Sequence, residues 1–289
     1  MRALRKHQIA FSGTFIYRRG RINIETIRET KLTGSNAERV RIPVVSLDVD
    51  VCNIDRLKRK IGTLAHSRNG SYICVSTVHM VMEAYADPAF GSIVNGADIV
   101  VADGMPLVWM QRLQGVRNAE RVRGNDLMIG LFEEAERTGL SVGFYGSKPE
   151  VLRAIENRLG IDYPRLDVAY SYSPPFRNLD ENEVSKVISD IREKAPDLLF
   201  VGLGCPKQEY WMAKHEDHLT SLMIGVGAAF DFYAGNISEA PKWIQNSGFE
   251  WLFRLFQDPK RLWRRYLILN PRFVVLAITQ LIRNRKDKT

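Results

Sequence analysis

An aspartate lies where a short apolar segment gives way to a glycine, in the run ADIVVADGMP over residues 97–106. The apolar residues 99–102 predict a buried strand that ends at Asp103. Ligands of an α/β sheet bind beyond the carboxyl ends of its strands, so Asp103 is a candidate ligand-site residue. Asp-Gly pairs also form ordinary turns, and the pair taken alone favours the turn.

Two glycine-containing loops follow other apolar segments. In GLGCPKQE (residues 202–209), the glycines permit close backbone approach, and Pro206 predicts a helix whose first turn holds Lys207 and Gln208. A helix amino terminus is positive and donates hydrogen bonds, as a diphosphate requires, while helix capping is the alternative. In GFYGSKPE (residues 143–150), a phosphate site is possible, but a tight βα turn is the better interpretation of the loop shape alone.

The acidic and histidine pairs of the chain do not have the spacing of metal sites. Asp48 and Asp50 form a D-x-D pair, but such residues share one face of a strand, and no histidine or further carboxylate cluster stands nearby. His215 and His218 lack the spacing of a zinc-protease helix. The three cysteines are scattered, which argues against disulfides and zinc and for a reducing compartment. We therefore expect neither a metal nor a cofactor.

Strand-like and helix-like segments alternate along residues 41–239, which indicates βαβ units. We therefore predict an α/β fold with a Rossmann-like, mostly parallel sheet and helices on both faces. The predicted strands cover residues 43–49, 72–76, 99–102, 141–145, 165–170, 197–202 and 221–226. The predicted helices cover residues 55–67, 78–86, 106–113, 125–138, 149–159, 180–194 and 206–215.

The net charge of +8 divides unevenly along the 289 residues. Residues 1–40, predicted to be a poorly ordered extension without a secretory signal, carry +6, residues 41–239 carry −6, and residues 240–289 carry +8. An acidic body does not fit nucleic-acid binding. The basic, aromatic-rich end predicts a helical appendage on an anionic membrane surface. Its apolar stretch 266–282 is interrupted at Asn270, Pro271 and Arg272, so we predict no membrane-spanning helix.

Ordered motifs across residues 42–273 closely resemble the WecG/TagA/CpsF family of bacterial glycosyltransferases. They are STVH (76–79), ADIVVADGMP (97–106), ERVRGNDL (120–127), FYGSKPE (144–150), GCPKQE (204–209), GVGAAFDFYAG (225–235), and APKWIQ with GFEWLFRL (240–255). The resemblance implies a Rossmann-like fold and an inverting, metal-independent transfer of a sugar from a UDP-sugar. The implied acceptor is a polyprenyl-diphosphate-linked saccharide at the cytoplasmic face of the bacterial membrane, in exopolysaccharide, capsule, teichoic-acid or common-antigen synthesis.

The resemblance also assigns roles to residues. Asp103 matches the general base, Thr77 and Gln208 match other catalytic positions, and Arg121 matches an arginine that offsets diphosphate charge. His79 stands where the family carries asparagine. Arg254, Arg261 and Arg264 match basic positions that close over the site, and their spacing predicts one helical face. The remaining candidate binding residues are Gly104, Gly146, Ser147, Gly202, Gly204, Pro206, Lys207, Gly227 and Asp231.

Two other classes of protein compete with this interpretation. A nucleotide-sugar epimerase or an NAD-dependent oxidoreductase predicts a complete glycine fingerprint and an acidic residue about 20 positions further on, and neither is found. A non-enzymatic adaptor would leave Asp103, Arg121 and Gln208 without a task. A homo-oligomer is compatible with the sequence.

Overall fold

A parallel six-stranded sheet forms the centre of the computed structural model, which describes residues 39–287. The strand order is β4-β3-β8-β7-β5-β6, and every neighbouring pair is parallel. Two further strands, β1 and β2, form a separate antiparallel pair. The strands are β1 (Arg41–Val44), β2 (Leu47–Asp50), β3 (Ser71–Ser76), β4 (Ile99–Ala102), β5 (Val142–Gly146), β6 (Val168–Tyr172), β7 (Leu198–Gly202) and β8 (Leu222–Gly225).

Helices cover both faces of the parallel sheet, so the predicted Rossmann-like α/β fold is confirmed. Side chains of alternate strand residues point to opposite faces, and each face is buried in its own apolar cluster. The helices are α1 (Ile54–Ser67), α2 (Val78–Ala86), α3 (Pro88–Gly96), α4 (Met105–Leu113), α5 (Gly124–Thr138), α6 (Pro149–Asp162), α7 (Glu181–Lys194), α8 (Lys207–His215), α9 (Ala229–Tyr233), α10 (Lys242–Ser247), α11 (Glu250–Gln257), α12 (Pro259–Trp263) and α13 (Asn270–Lys286).

Helix boundaries follow local capping chemistry. Helix α7 begins with a capping box, in which the Asp180 side chain accepts from the Glu183 backbone and the Glu183 side chain accepts from the Asp180 backbone. Helix α5 ends at Gly139, whose φ of 75° is the left-handed conformation that glycine adopts without steric cost. Such signals explain why the predicted helices lie close to the observed ones.

The start of the fold differs from the prediction. Residues 43–49 were expected to form one strand, but the chain reverses at Val45 and Ser46, and Val45 has a φ of 58°. The second carboxylate of the D-x-D pair, Asp50, is buried there, forms ion pairs with Arg39 and Arg41, and accepts a hydrogen bond from the Val100 backbone. Asp50 therefore fastens the β1–β2 pair to the main sheet. A second difference is α3 (Pro88–Gly96), a helix that the sequence pattern did not predict.

The carboxyl-terminal helices differ from the prediction as well. The interruption of the apolar stretch at 270–272 does not break the helix, because a π-helical segment, Arg264–Leu269, joins α12 to α13 in one helical run, Pro259–Lys286. Pro271 stands in the first turn of α13, just after the π segment, where the hydrogen-bond register changes and a missing donor costs little. Among residues 39–287, this run alone is long and apolar enough to cross a membrane, by length and composition only.

One side of the helical run packs on the body of the protein. Phe273 and Ala277 are buried in the apolar cluster of one sheet face. The Gln280 side chain accepts from the Val45 backbone and donates to the Pro43 carbonyl, both at 2.9 Å. The opposite side carries a row of exposed apolar residues, which we call the apolar row: Leu267, Ile268, Val274, Val275, Ile278 and Ile282. The predicted extension, residues 1–40, lies almost wholly outside the described residues.

Candidate active site

A cleft of about 1380 Å³ opens at the carboxyl ends of the parallel strands, as the sequence predicts for a ligand site. Most of the predicted site residues line it, although they come from distant parts of the chain. These are Thr77, His79, Asp103, Gly104, Arg121, Ser147, Gly202, Gly204, Gln208, Gly227, Asp231, Arg254, Arg261 and Arg264.

Three of the predicted site residues do not line the cleft: Gly146, Pro206 and Lys207. A side chain at Gly146 would come within 2.6 Å of the Gly202 backbone, so this glycine allows β5 and β7 to pack closely. Lys207 is exposed at the first turn of α8 and points away from the cleft wall. In the first turn of α8, Gln208 therefore lines the cleft and Lys207 does not.

Asp103 stands directly after β4, at the floor of the cleft. Its backbone N–H donates to the Ser76 carbonyl at 2.8 Å, which ties the end of β4 to the end of β3. Its side chain is 24% exposed, and one carboxylate oxygen lies 3.2 Å from Arg121 Nη2. A carboxylate with this partial access to the cleft is positioned to take a proton from a bound hydroxyl group.

Arg121, in the loop between α4 and α5, contacts Asp103. Its Nε donates to the Asp103 carbonyl, and its Nη2 also lies 2.8 Å from a carboxylate oxygen of Glu250. Its Nη1 donates to the Gln245 carbonyl at 3.3 Å. Arg121 therefore already has two carboxylate partners, and it joins the cleft floor to the carboxyl-terminal appendage.

An arginine that the sequence analysis did not single out, Arg265, contacts the predicted catalytic threonine. Its Nη2 donates to Thr77 Oγ1 at 3.1 Å, and its Nε is buried without a hydrogen-bond partner. Burial lowers the pKa of Arg265, and the nearby Arg254 lowers it further. Among residues 39–287, no carboxylate forms an ion pair with it. Arg264 and Arg265 both line the cleft, but only the fold shows that Arg265 is the one that contacts Thr77.

His79 lines the cleft in its neutral form. Its Nε2 lies 3.3 Å from Glu83 Oε1, one turn further along α2. Burial, and then the positive charge of Arg265, lower the pKa of His79 to about 4. A neutral histidine beside a carboxylate keeps its proton on Nε2 and leaves Nδ1 as an acceptor.

Gln208 is fixed by two hydrogen bonds in the cleft wall. Its Oε1 accepts from the Gly204 backbone at 3.1 Å, and its Nε2 donates to Glu209 Oε1 at 2.8 Å. Glu209 is fully buried, and burial raises its pKa to about 7. Gly204 has a φ of 81°, which a glycine adopts readily. Gln208 therefore shapes the 202–208 loop as well as facing the cleft.

The three predicted arginines of the appendage converge on the cleft, but they do not share one helical face. Arg254 lies on α11, Arg261 on α12 and Arg264 in the π segment. Helix α11 ends before Asp258, and α12 begins after it. Seven-residue spacing places residues on one face only within a continuous helix. The Asp258 side chain accepts from the Arg261 backbone and begins a new helix there.

A polar network that the sequence did not predict joins the appendage to α5. Arg123 pairs with Asp126 and Glu239 at 3.1 Å each, and its other nitrogen lies 3.5 Å from Glu250. Gln245 donates to Glu239 and to the Ala240 carbonyl. In residues 39–287, no three His, Cys, Asp or Glu side chains are grouped as metal ligands.

A Rossmann-like sheet with a carboxylate and several arginines at its strand ends is the architecture of a protein that binds an anionic ligand. The chain belongs to the glycosyl transferase WecG/TagA/CpsF family, whose model matches residues 42–287. The match continues through α13, beyond residue 273, where the motif resemblance ended. The class is therefore a glycosyltransferase, and the family match favours it over an epimerase or an oxidoreductase.

Three curated relatives to which this chain is similar are named N-acetylglucosaminyldiphosphoundecaprenol N-acetyl-beta-D-mannosaminyltransferase. The relative from Bacillus spizizenii (strain W23) is 30% identical over 218 residues, which are 75% of this chain and 82% of that protein. The relative from Bacillus subtilis (strain 168) is 29% identical over 76% of this chain and 82% of its own length. The relative from Staphylococcus aureus (strain MW2) is 29% identical over 78% of this chain and 87% of its own length.

Proposed function

We propose that this protein transfers a sugar from a UDP-sugar to a saccharide carried on polyprenyl diphosphate, with inversion at the anomeric carbon. The observation that carries the proposal is Asp103, which stands at the end of β4 in a cleft that also receives the appendage arginines. The names of the relatives support a lipid-linked acceptor and make N-acetylmannosamine the first donor sugar to test.

The reaction needs one proton acceptor and one stabiliser of the leaving group. Asp103 accepts the proton of the acceptor hydroxyl as its oxygen forms a bond to the anomeric carbon. The bond from that carbon to the diphosphate breaks on the opposite face, and UDP leaves with the electron pair. Because attack and departure occur on opposite faces, the configuration at the anomeric carbon inverts.

Arginines meet the charge of the departing diphosphate in this proposal. Arg254, Arg261, Arg264 and Arg265 all line the cleft, and Arg265 has a buried guanidinium without a carboxylate partner among the described residues. Fixed cations in a partly desolvated cleft stabilise developing negative charge without reorganisation. We propose that they act without a metal ion, so activity persists in EDTA.

The appendage holds the enzyme at the inner face of the cell membrane in this proposal. The apolar row lies beside basic residues, and each basic residue near an anionic surface contributes about 1 kcal/mol. A lipid-linked acceptor would then reach the cleft along the membrane plane. The protein is expected to associate peripherally, with the run Pro259–Lys286 on the surface of the membrane.

A ligand-binding measurement separates this function from the alternatives. UDP at 100 times its Kd is expected to raise the free energy of unfolding by about 2.7 kcal/mol, and NAD to leave it unchanged. Stabilisation by NAD would support the oxidoreductase or, if UDP also stabilises the protein, the nucleotide-sugar epimerase, and would contradict the proposal.

A further inference from the structure

We propose that Glu250 is a positioning residue that transmits the docked position of the appendage to Asp103 through Arg121. The inference rests on the proposed function, since it takes Asp103 as the base. Glu250 lies at the start of α11, far from Asp103 in the sequence, and its side chain is only 12% exposed. Glu250 lies between Arg121 and Arg123, which are not among the appendage arginines that line the cleft.

The guanidinium of Arg121 contacts both the cleft floor and the appendage. The cleft floor supplies the carbonyl and the carboxylate of Asp103, and the appendage supplies the Gln245 carbonyl and the Glu250 carboxylate. Nη2 faces both carboxylates, at 3.2 Å from Asp103 and 2.8 Å from Glu250. Arg121 therefore contacts four oxygen atoms, two on Asp103 and two on the appendage, and its contact with Glu250 Oε2 is an ion pair without hydrogen-bond geometry.

The contacts of Arg121 with both Asp103 and the appendage matter because Asp103 is the proposed base. A carboxylate can act as a base only when it is aimed at the hydroxyl group that it deprotonates. Arg121 contacts both the carbonyl and the carboxylate of Asp103, so the position of its guanidinium sets the direction of that carboxylate. Arg123 lies 3.5 Å from the other oxygen of Glu250 and keeps that carboxylate in place.

The same geometry makes the base depend on the appendage. When α11 is docked, Glu250 and the Gln245 carbonyl fix the guanidinium plane of Arg121 and therefore the direction of the Asp103 carboxylate. When α11 moves away, both contacts are lost, and Arg121 is left with Asp103 as its sole carboxylate partner among the described residues. The docked position of α11 would thus set the direction of the Asp103 carboxylate through Arg121.

The test is a double-mutant cycle in the full chain with Glu250→Gln and Asp103→Asn. Transfer from UDP-N-acetylmannosamine to a synthetic undecaprenyl-diphosphate-linked N-acetylglucosamine is the readout, with UDP affinity measured by calorimetry. We expect Glu250→Gln to lower kcat at least tenfold and to change the Kd for UDP less than threefold. In the Asp103→Asn background, the same change should have no further effect, because residues that act through one another are not additive.

Two variants separate positioning from stability. Glu250→Asp keeps the charge and should recover part of the lost kcat. Asp126→Asn removes a carboxylate partner from Arg123 instead of Arg121, so its kcat should stay within threefold of the parent. Equal losses in Glu250→Gln and Asp126→Asn, or additive losses with Asp103→Asn, would overturn the role of Glu250. Failure of the proposed base is a different result, in which Asp103→Asn alone retains full activity.

Discussion

Asp103 is the residue on which the proposed chemistry depends most. Its place was predicted from an apolar strand that ends in a carboxylate, and the structure puts it in the cleft beside Arg121. The sequence could not show that Arg121 also binds Glu250, because these residues meet only through the docking of α11. Arg265 was missed for the same reason, since its contact with Thr77 forms only when the helical run Pro259–Lys286 packs on the body.

Replacement of Asp103 by asparagine tests the base directly. The amide keeps the shape of the side chain but cannot accept the proton, and a general base contributes about 10²–10⁴-fold to the rate. We expect kcat to fall within that range while UDP binds as in the parent protein. Single-turnover kinetics with UDP calorimetry measure both quantities, and turnover at the parental rate would remove Asp103 from the role.

Arg265 is expected to bind the diphosphate. Arg265→Lys keeps the charge but loses the planar fork that recognises phosphate, so we expect UDP affinity to fall at least fivefold. Arg272, on the same helical run, stacks over Tyr85 and does not line the cleft. Arg272→Gln is therefore the matched control and should bind UDP normally. Equal affinities in the two variants would show that Arg265 does not contact the nucleotide.

His79 should make stability depend on pH in a defined window. Its pKa falls from an ordinary value of 6.5 to about 4 in the folded protein. Between these values, the unfolded chain binds a proton that the folded chain does not, so the free energy of unfolding decreases as the pH is lowered from 6.5 to 4. His79→Asn should remove up to about 3 kcal/mol of that decrease.

Denaturant unfolding of the parent and the variant at pH 4, 5, 6 and 7 measures this effect. His215 has a similarly lowered pKa, and it contributes equally to both proteins, so the difference between the two curves isolates His79. Parallel curves would mean that His79 is not held neutral in the fold.

At the scale of elements, regular periodicity made most of the fold predictable. The parallel strands and the helices between them alternate by simple rules of burial and capping, and their order from residue 71 to 225 was predicted except for α3. The predictions failed where tertiary contacts, and not local sequence, determine the structure. The β1–β2 pair turns at a valine, which has no turn propensity of its own, and it is held by the buried Asp50. The π segment carries the chain past Pro271 without a break.

The apolar row is the element that we expect to meet the membrane. Val275 and Ile278 are 63% and 52% exposed on α13. A double change of both residues to glutamate adds negative charge and removes apolar area without disturbing the packed side at Phe273. We expect binding to anionic liposomes to fall at least tenfold, and parental binding to weaken in high salt.

Ile161 provides the control for this experiment. It is 80% exposed near the end of α6 and lies outside the segment 240–289, so Ile161→Glu should sediment with liposomes as the parent does. If the double variant of the row still sediments fully, the row does not anchor the protein.

At the scale of the whole molecule, residues of the body and of the appendage line one cleft. The appendage supplies arginines to the cleft, contacts Thr77 through Arg265, and contacts Arg121 through Glu250. The division at residue 240 therefore separates two segments of the chain that jointly build the site. The charge pattern predicted a basic end attached to an acidic body, but charge alone could not show how closely the two are joined.

The most direct test of the central claim is product analysis with the complete protein. Incubation with UDP-N-acetylmannosamine and undecaprenyl-diphosphate-linked N-acetylglucosamine, in the presence of EDTA, is followed by mass spectrometry and by NMR of the new linkage. We predict a lipid-linked product heavier by one N-acetylhexosamine, with the anomeric configuration inverted and its formation abolished by Asp103→Asn. No transfer from any of a panel of UDP-sugars, or a product with retained configuration, would contradict the account.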